Sequence, residues 1–216
     1  MALQLNLAAL TSSELERLLG SDASRQLAAT LSSARLAGKP VEGPAVPECF
    51  LEGAAEFTAP GDTPDEARRI AELQGELLGA GLEVIGGYRA CDLRGPLNLL
   101  AFGGGEVAVA LRWGETLEPS LLLVSWLREP VAGVSGVLTS TSRAPNILEV
   151  SDVLTYRHLP GESAATALEA QRLGVRQYGR AQKVASRGDL EALLENLWRA
   201  DLAALRRRGA LIETSR

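Results

Sequence analysis

The feature that most constrains the fold of this chain is a change of hydrophobic periodicity near residue 82. Apolar runs such as residues 97–102 and 107–113 are short and typical of β-strands, and short links rich in glycine or proline join them. A parallel return between strands needs a crossover of about a dozen residues, so links this short predict antiparallel neighbours. We therefore predict an antiparallel sheet of about five or six strands over roughly residues 82–158.

Helical signals precede this predicted sheet. Thr11 and Glu14 match a capping box, leucines follow them at helical spacing, and a second helix fits residues 22–37. The clearest helix begins at Thr63, because Thr63 can cap free backbone N–H groups and Pro64 suits the first helical position. The chain is therefore expected to be helical on the N-terminal side of the sheet.

Helical patterns also follow the predicted sheet. Residues 164–186 fit one helix, or two helices broken near Gly174 and Gly179, and a last helix spans about residues 189–207 with leucines along one face. Together with the sheet, these patterns predict an α+β fold in which N-terminal and C-terminal helices flank an antiparallel sheet.

Proline and glycine are concentrated before Thr63, and they divide the chain. We predict an N-terminal helical arm over residues 1–38, a Pro/Gly-rich linker over residues 39–62, and a main α+β domain with C-terminal helices over residues 63–216.

The composition favours an ordinary globular protein. Hydrophobic residues make up 46% and charged residues 23% of the chain, which is neither the balance of a disordered segment nor that of a membrane-spanning one. The N-terminus lacks the pattern of a secretory signal, and no apolar run is long enough for a membrane helix. We expect a cytoplasmic location and no association with a membrane.

Charge is unevenly distributed, and the C-terminal part is basic. Residues 1–154 hold 11 basic and 20 acidic side chains, whereas residues 155–216 hold 11 basic and 7 acidic ones. On a continuous helix, five of these cations would lie within an arc of about 80°. They are Arg172, Arg176, Arg180, Lys183 and Arg187. Such a face indicates either a solvated helix surface, or one paired with the acidic part of the chain, or a site for phosphates of a nucleic acid or another polyanion.

The residues that could carry catalysis are few. His158 is the only histidine, so it is the single candidate for an imidazole base, and Cys49 or Cys91 would have to be its nucleophile. No motif of a known nucleophilic site accompanies them. One histidine and two separated cysteines do not form a common zinc site, and we expect neither a metal nor a cofactor.

These observations lead to three hypotheses. We favour a non-catalytic binding or protein-interaction domain of unknown ligand, with a protein partner or self-association, because leucine-rich helices at both ends of the chain resemble helices that pack across a dimer contact. The alternative is nucleic-acid or polyanion binding through the face from Arg172 to Arg187. The third is a hydrolase that uses His158 with a cysteine nucleophile.

Overall fold

A seven-stranded β-sheet with helices on both faces forms the centre of the fold. The computed structural model describes residues 2–57 and 60–214. The strands are β1 (Ala2–Asn6), β2 (Glu42–Val46), β3 (Leu51–Ala55), β4 (Glu83–Asp92), β5 (Gly95–Gly104), β6 (Val107–Gly114), β7 (Leu117–Val131), β8 (Val134–Ser140), β9 (Leu154–His158) and β10 (Leu211–Thr214). The α-helices are α1 (Ser12–Leu19), α2 (Ser21–Leu36), α3 (Pro64–Gly79), α4 (Ala164–Tyr178) and α5 (Arg187–Arg207).

The large sheet confirms the predicted α+β class. Its strand order is β3-β4-β5-β6-β7-β8-β9, so six of its strands lie in the predicted region and β3 adds a seventh. The expectation that all neighbours are antiparallel is wrong for one pair, because β9 runs parallel to β8. The link between these two strands, residues 141–153, is long enough for the crossover that a parallel return requires.

Two hydrophobic layers cover the two faces of this sheet. On one face, α3 and α4 pack against side chains that include Val109, Leu111 and Trp113. On the other face, α5 packs against side chains that include Ala108 and Ala110. Successive residues of a strand point to opposite faces, so β6 contributes alternately to both layers. We call the second face the α5 face.

A smaller sheet joins the two ends of the chain. Its order is β10-β1-β2, with both pairs antiparallel. Leucines of β1 pack with α1, with Leu31 of α2 and with the C-terminal end of α5. The side chain of Asn6 supports the junction, since it accepts from the N–H of Val41 and donates to the carbonyl of Gly209. The predicted arm thus contacts the end of the predicted main domain, and residues 39–62 contribute strands to both sheets.

The helices begin where the sequence predicts. Thr11 and Glu14 form the reciprocal capping box of α1, and Thr63 accepts a hydrogen bond from the N–H of Glu66 at the start of α3. Of the predicted helical segment 164–186, only Ala164–Tyr178 is helical, and this helix continues through Gly174 and ends before Gly179. Gly179 adopts a φ of 136°, which suits glycine and ends α4.

Membrane crossing by a helix requires a long apolar segment. None of the helices in residues 2–57 and 60–214 has the length and apolar character to span a membrane.

Candidate functional site

A cavity of about 120 Å³ lies between the large sheet and α5. We call it the α5 cavity. Leu122 and Leu138 line it from the α5 face of the sheet, and Leu194 and Leu197 line it from the helix. The connection between β8 and β9 forms another part of the wall through residues 146–150. Most of the enclosing surface is therefore apolar.

Arg112 places a cation in this apolar cavity. It lies on β6, which is buried from Val107 to Trp113. Strand alternation puts Arg112 on the same face as Ala108 and Ala110, towards α5. Its side chain lines the cavity, and the residue is only 8% exposed. Arginine is rarely this buried unless another group neutralises it.

No such group is present for Arg112 in the described part of the chain. Its Nε atom is enclosed and has no hydrogen-bond partner. None of the ion pairs between described residues includes it. Burial and the neighbouring cation Arg94 lower the pKa of Arg112, while Asp92 and Tyr156 raise it. Because guanidinium does not lose its proton in proteins, the result is a buried charge without a direct partner.

Two further polar atoms near Arg112 also have no hydrogen-bond partner among the described residues. Ser120 is the direct neighbour of Arg112 in the β6–β7 pairing, and its Oγ is enclosed and unpaired. Tyr156 pairs with Leu138 in the β8–β9 register, and its hydroxyl is likewise enclosed and unpaired. Buried polar groups are nearly always hydrogen-bonded, so these atoms are exceptions, and only Arg112 among their residues lines the α5 cavity.

Asp201 lines the same cavity from α5. Burial raises its pKa from 3.8 to about 6, although the N–H of Ser151 donates a hydrogen bond of 3.3 Å to its Oδ1 and opposes the shift. The carboxyl group therefore lies on the apolar side of α5 between Leu197 and Leu205, without an ion-pair partner in the described residues.

The wall formed by residues 145–150, which we call the strap, is held by three polar contacts. Arg94 donates to the carbonyl of Pro145, and Arg17 donates to the carbonyl of Asn146 at 2.7 Å. The N–H of Glu149 donates to Glu14 Oε1 at 2.9 Å. The strap is thus attached both to the large sheet and to α1.

Glu14 connects the strap to both ends of the chain. It is fully buried, and Arg208 donates to both of its carboxylate oxygens, at 2.9 and 2.6 Å. Burial alone would raise the pKa of Glu14, but the hydrogen bonds from Arg208, Glu149 and Thr11 lower it to about 2. Glu14 is therefore a buried, ionised and fully paired group, in contrast to Arg112.

His158 lies at the end of β9, away from both cysteines. Its Nε2 is 2.6 Å from the carbonyl oxygen of Ser142, and because a carbonyl only accepts, Nε2 must donate the proton in this contact. The ring also stacks on Tyr156 with centroids 6.2 Å apart. In this position Nε2 is engaged in a structural hydrogen bond.

The structure does not bring His158 and a cysteine together. Cys91 is on β4, and five strand spacings of about 4.8 Å place β4 and β9 about 24 Å apart along the sheet. Cys49 precedes β3 at the far edge. Burial raises the pKa of the Cys91 thiol, which disfavours the nucleophilic thiolate. In the described residues, no group of three or more His, Cys, Asp or Glu is arranged to hold a metal ion.

The five cations do not form the continuous helix face that their spacing allows. Only Arg172 and Arg176 lie on α4, because the helix ends at Tyr178. The chain then extends along β7. There Ala181 forms an isolated antiparallel β-bridge with Leu127, and the N–H of Arg128 donates to the carbonyl of Arg180. Arg180 and Lys183 are therefore outside any helix, although all five side chains are exposed.

Arg187 of this group is paired. It begins α5 and forms an ion pair with Glu191 at 2.9 Å. Its guanidinium also lies 5.1 Å from the centre of the Tyr88 ring. The physical reason for the broken face is the burial of Ala181 and Val184, which pulls the segment between the helices onto the sheet.

The sequence interpretation missed Arg112 and Asp201, and the same signal identifies both. Arg112 interrupts the apolar run of residues 107–113, which is typical of a fully buried strand. Asp201 falls four residues after Leu197, on the leucine side of the last helix. A charged residue inside an apolar pattern indicates a buried ionisable group.

Comparisons with models of protein families, with curated proteins and with solved structures give no significant match to this chain.

Proposed function

We propose that this protein is a non-catalytic binding domain and that the α5 cavity takes up a small ligand with an anionic group. The observation that carries the proposal is Arg112, buried in the cavity with no direct partner in the described residues. Burying an ion without a partner costs several kcal/mol. A ligand that supplies the missing negative charge and hydrogen-bond acceptors would offset this cost.

The surroundings of Arg112 support binding over catalysis. The described residues that line the α5 cavity include no histidine, cysteine, serine, threonine or lysine, so none of these supplies a nucleophile or a base there. The carboxyl groups that line the cavity belong to Asp92, Glu149 and Asp201. Apolar walls with a few polar groups are typical of a site that holds a small molecule.

The apolar faces of the leucine-rich helices, which led to the prediction of a protein partner, are already covered by other parts of this chain. Leu15 of α1 packs against β1 and the end of α5, and Leu193 and Leu194 of α5 pack on the large sheet. Their apolar faces stabilise this chain itself. Self-association or a protein partner therefore stays a prediction, and it requires a surface other than these faces.

The proposal is tested by thermal unfolding in the presence of simple anions. Sulfate, phosphate, acetate and hexanoate are titrated at millimolar concentration into the native protein and into Arg112→Met. We expect at least one anion to raise the melting temperature of the native protein in a saturable manner, because binding to the folded state stabilises it by mass action. The same anion should leave Arg112→Met unchanged.

The matched control is Arg172→Met, which removes an exposed arginine on the opposite side of the sheet. It should respond as the native protein does. If all four anions leave the native protein unaffected, or if Arg112→Met responds equally, the α5 cavity is not an anion site and the proposal is wrong.

A further inference from the structure

The walls of the α5 cavity discriminate between kinds of anion. Around Arg112, the cavity is lined by leucines of the sheet and of α5 and by the aromatic rings of Phe50 and Trp198. Phosphate and sulfate are strongly hydrated on all sides. Entry into the cavity would remove this water, and the apolar walls cannot replace the lost hydrogen bonds. An anion with an apolar body would instead bury that body favourably, at about 25 cal/mol per Å².

The charges in the cavity favour a single negative charge on the ligand. Arg112 is the buried cation, and Asp92 is close enough to raise its pKa. Glu149 and Asp201 line the same space. Arg94 also lines it and is only partly buried. A dianion would therefore meet two guanidinium groups and three carboxyl groups, and like charges in a low-dielectric space repel strongly.

The guanidinium of Arg112 matches a carboxylate. A guanidinium binds a carboxylate with two parallel N–H donors, which gives both strength and orientation. The Arg112 side chain lines the cavity, and none of the ion pairs between described residues includes it. A neutral amide of the same shape would leave the charge of Arg112 uncompensated.

The size of the cavity limits the ligand to a short molecule. Its volume of about 120 Å³ is a little below that of an engineered cavity of about 150 Å³ that binds benzene. About six non-hydrogen atoms fit this space, and the remaining atoms of a slightly longer ligand would extend through the opening.

We propose that the α5 cavity binds a short-chain monocarboxylate, with the carboxylate on Arg112 and the apolar chain between the large sheet and α5. This assignment rests on the proposed function, since it names the chemical class of the ligand for the same site. In addition to the proposed function, it requires that the ligand carry a single negative charge and have an apolar body.

Isothermal titration with four matched probes tests both requirements. The probes are hexanoate, its neutral analogue hexanamide, acetate, which lacks the chain, and sulfate, which lacks the chain and carries two charges. We expect hexanoate to bind at least about tenfold more tightly than any of the other three, because a hydrogen bond to a charged group and burial of the chain both contribute. Arg112→Met should bind hexanoate and hexanamide equally.

A second variant keeps the test informative if Arg112→Met does not fold. Arg112→Lys retains the charge but not the planar pair of donors, so it should still prefer hexanoate over hexanamide with a smaller ratio. The matched control Arg172→Met should bind all probes as the native protein does.

The outcomes separate the two proposals. If sulfate or acetate binds as tightly as hexanoate, the monocarboxylate assignment is overturned while anion binding in the cavity stands. If hexanamide binds to the native protein as tightly as hexanoate does, the charge of Arg112 does not contribute to ligand affinity, and both proposals are overturned. If no probe binds, the proposed function itself is overturned.

Discussion

Arg112 is expected to lower the stability of the ligand-free protein. Its guanidinium is buried without a direct partner in the described residues, and replacing buried ions with apolar groups of similar volume is often stabilising by about 1–4 kcal/mol. We therefore expect Arg112→Met to raise the free energy of unfolding by about 1–3 kcal/mol at pH 7. Urea denaturation without ligand measures this change.

The control for this prediction is Arg172→Met, which alters an exposed side chain and should change the unfolding free energy by less than about 0.5 kcal/mol. A loss of stability in Arg112→Met would contradict the account, because it would show that Arg112 is needed to hold the fold and is not retained for a ligand.

Asp201 should make stability depend on pH between about 4 and 6. Its pKa is raised to about 6 in the folded protein by burial, against 3.8 as the ordinary value. The stability that this group contributes is present below pH 4 and is lost as the pH rises through 6. Asp201→Asn should therefore raise the unfolding free energy by roughly 2–3 kcal/mol at pH 7.5, and by much less at pH 4.

Thermal or urea unfolding of Asp201→Asn across this pH range checks the prediction. The matched control is Asp62→Asn, since Asp62 is an exposed carboxylate before α3. Equal effects of the two substitutions at every pH would show that Asp201 is not held in an apolar environment.

At the scale of elements, Glu14 on α1 ties the strap to the end of α5. Its pKa is lowered to about 2, so the stability from its ionised form is present above pH 4.5 and is lost as the pH falls towards 2. Glu14→Gln keeps a side chain suited to the capping box but removes the ion pair with Arg208. We expect a loss of roughly 2–3 kcal/mol at pH 7 and a clearly smaller loss at pH 3.

Urea denaturation at the two pH values measures the effect of Glu14→Gln. Glu16→Gln, an exposed position on the same helix, is the control and should be nearly neutral. A loss that does not depend on pH would mean that the ion pair with Arg208 is not its cause.

Local patterns predicted most of the elements in this fold. Strands β5 and β6 and the helices after Thr11 and Thr63 are encoded by apolar runs, by turn residues and by caps within a few positions of one another. The small sheet was not predicted. Its pairing of β1 with β10 joins residues about two hundred positions apart, and nothing local specifies such a contact.

The candidate site was less predictable than the fold. The cationic face depended on a helix that continues past Gly179, whereas burial of Ala181 against β7 overrides the helical spacing. Arg112 is recognisable as a candidate binding residue only once the sheet, α5 and the strap enclose it. Whether a buried side chain has a partner depends on the tertiary structure. The sequence does show that a charge interrupts the apolar strand.

At the scale of the whole molecule, the two sheets should unfold together. Leu5 of β1 is fully buried beside the C-terminal end of α5, so Leu5→Ala should cost about 2–5 kcal/mol. Trp113 and Trp126 lie in the large sheet, whereas Trp198 packs against the cluster that contains Leu5, so the fluorescence is measured in a Trp198→Phe background. We expect tryptophan fluorescence and far-ultraviolet circular dichroism to shift equally in Leu5→Ala.

The control is Leu36→Ala, because Leu36 is 91% exposed on α2 and should be nearly neutral. If Leu5→Ala leaves the fluorescence transition unchanged and splits the transition seen by circular dichroism, the N-terminal arm unfolds as a separate unit.

The most direct test of the account is the ¹⁵N nuclear magnetic resonance signal of the Arg112 Nε–H group, assigned by its loss in Arg112→Met. This N–H belongs to the guanidinium that lines the cavity, so a carboxylate bound to that guanidinium would change its electrostatic environment. We predict that the signal moves in a saturable manner as hexanoate is added and stays in place with hexanamide. An Arg112 signal that no anion moves would contradict the claim that the α5 cavity is a binding site.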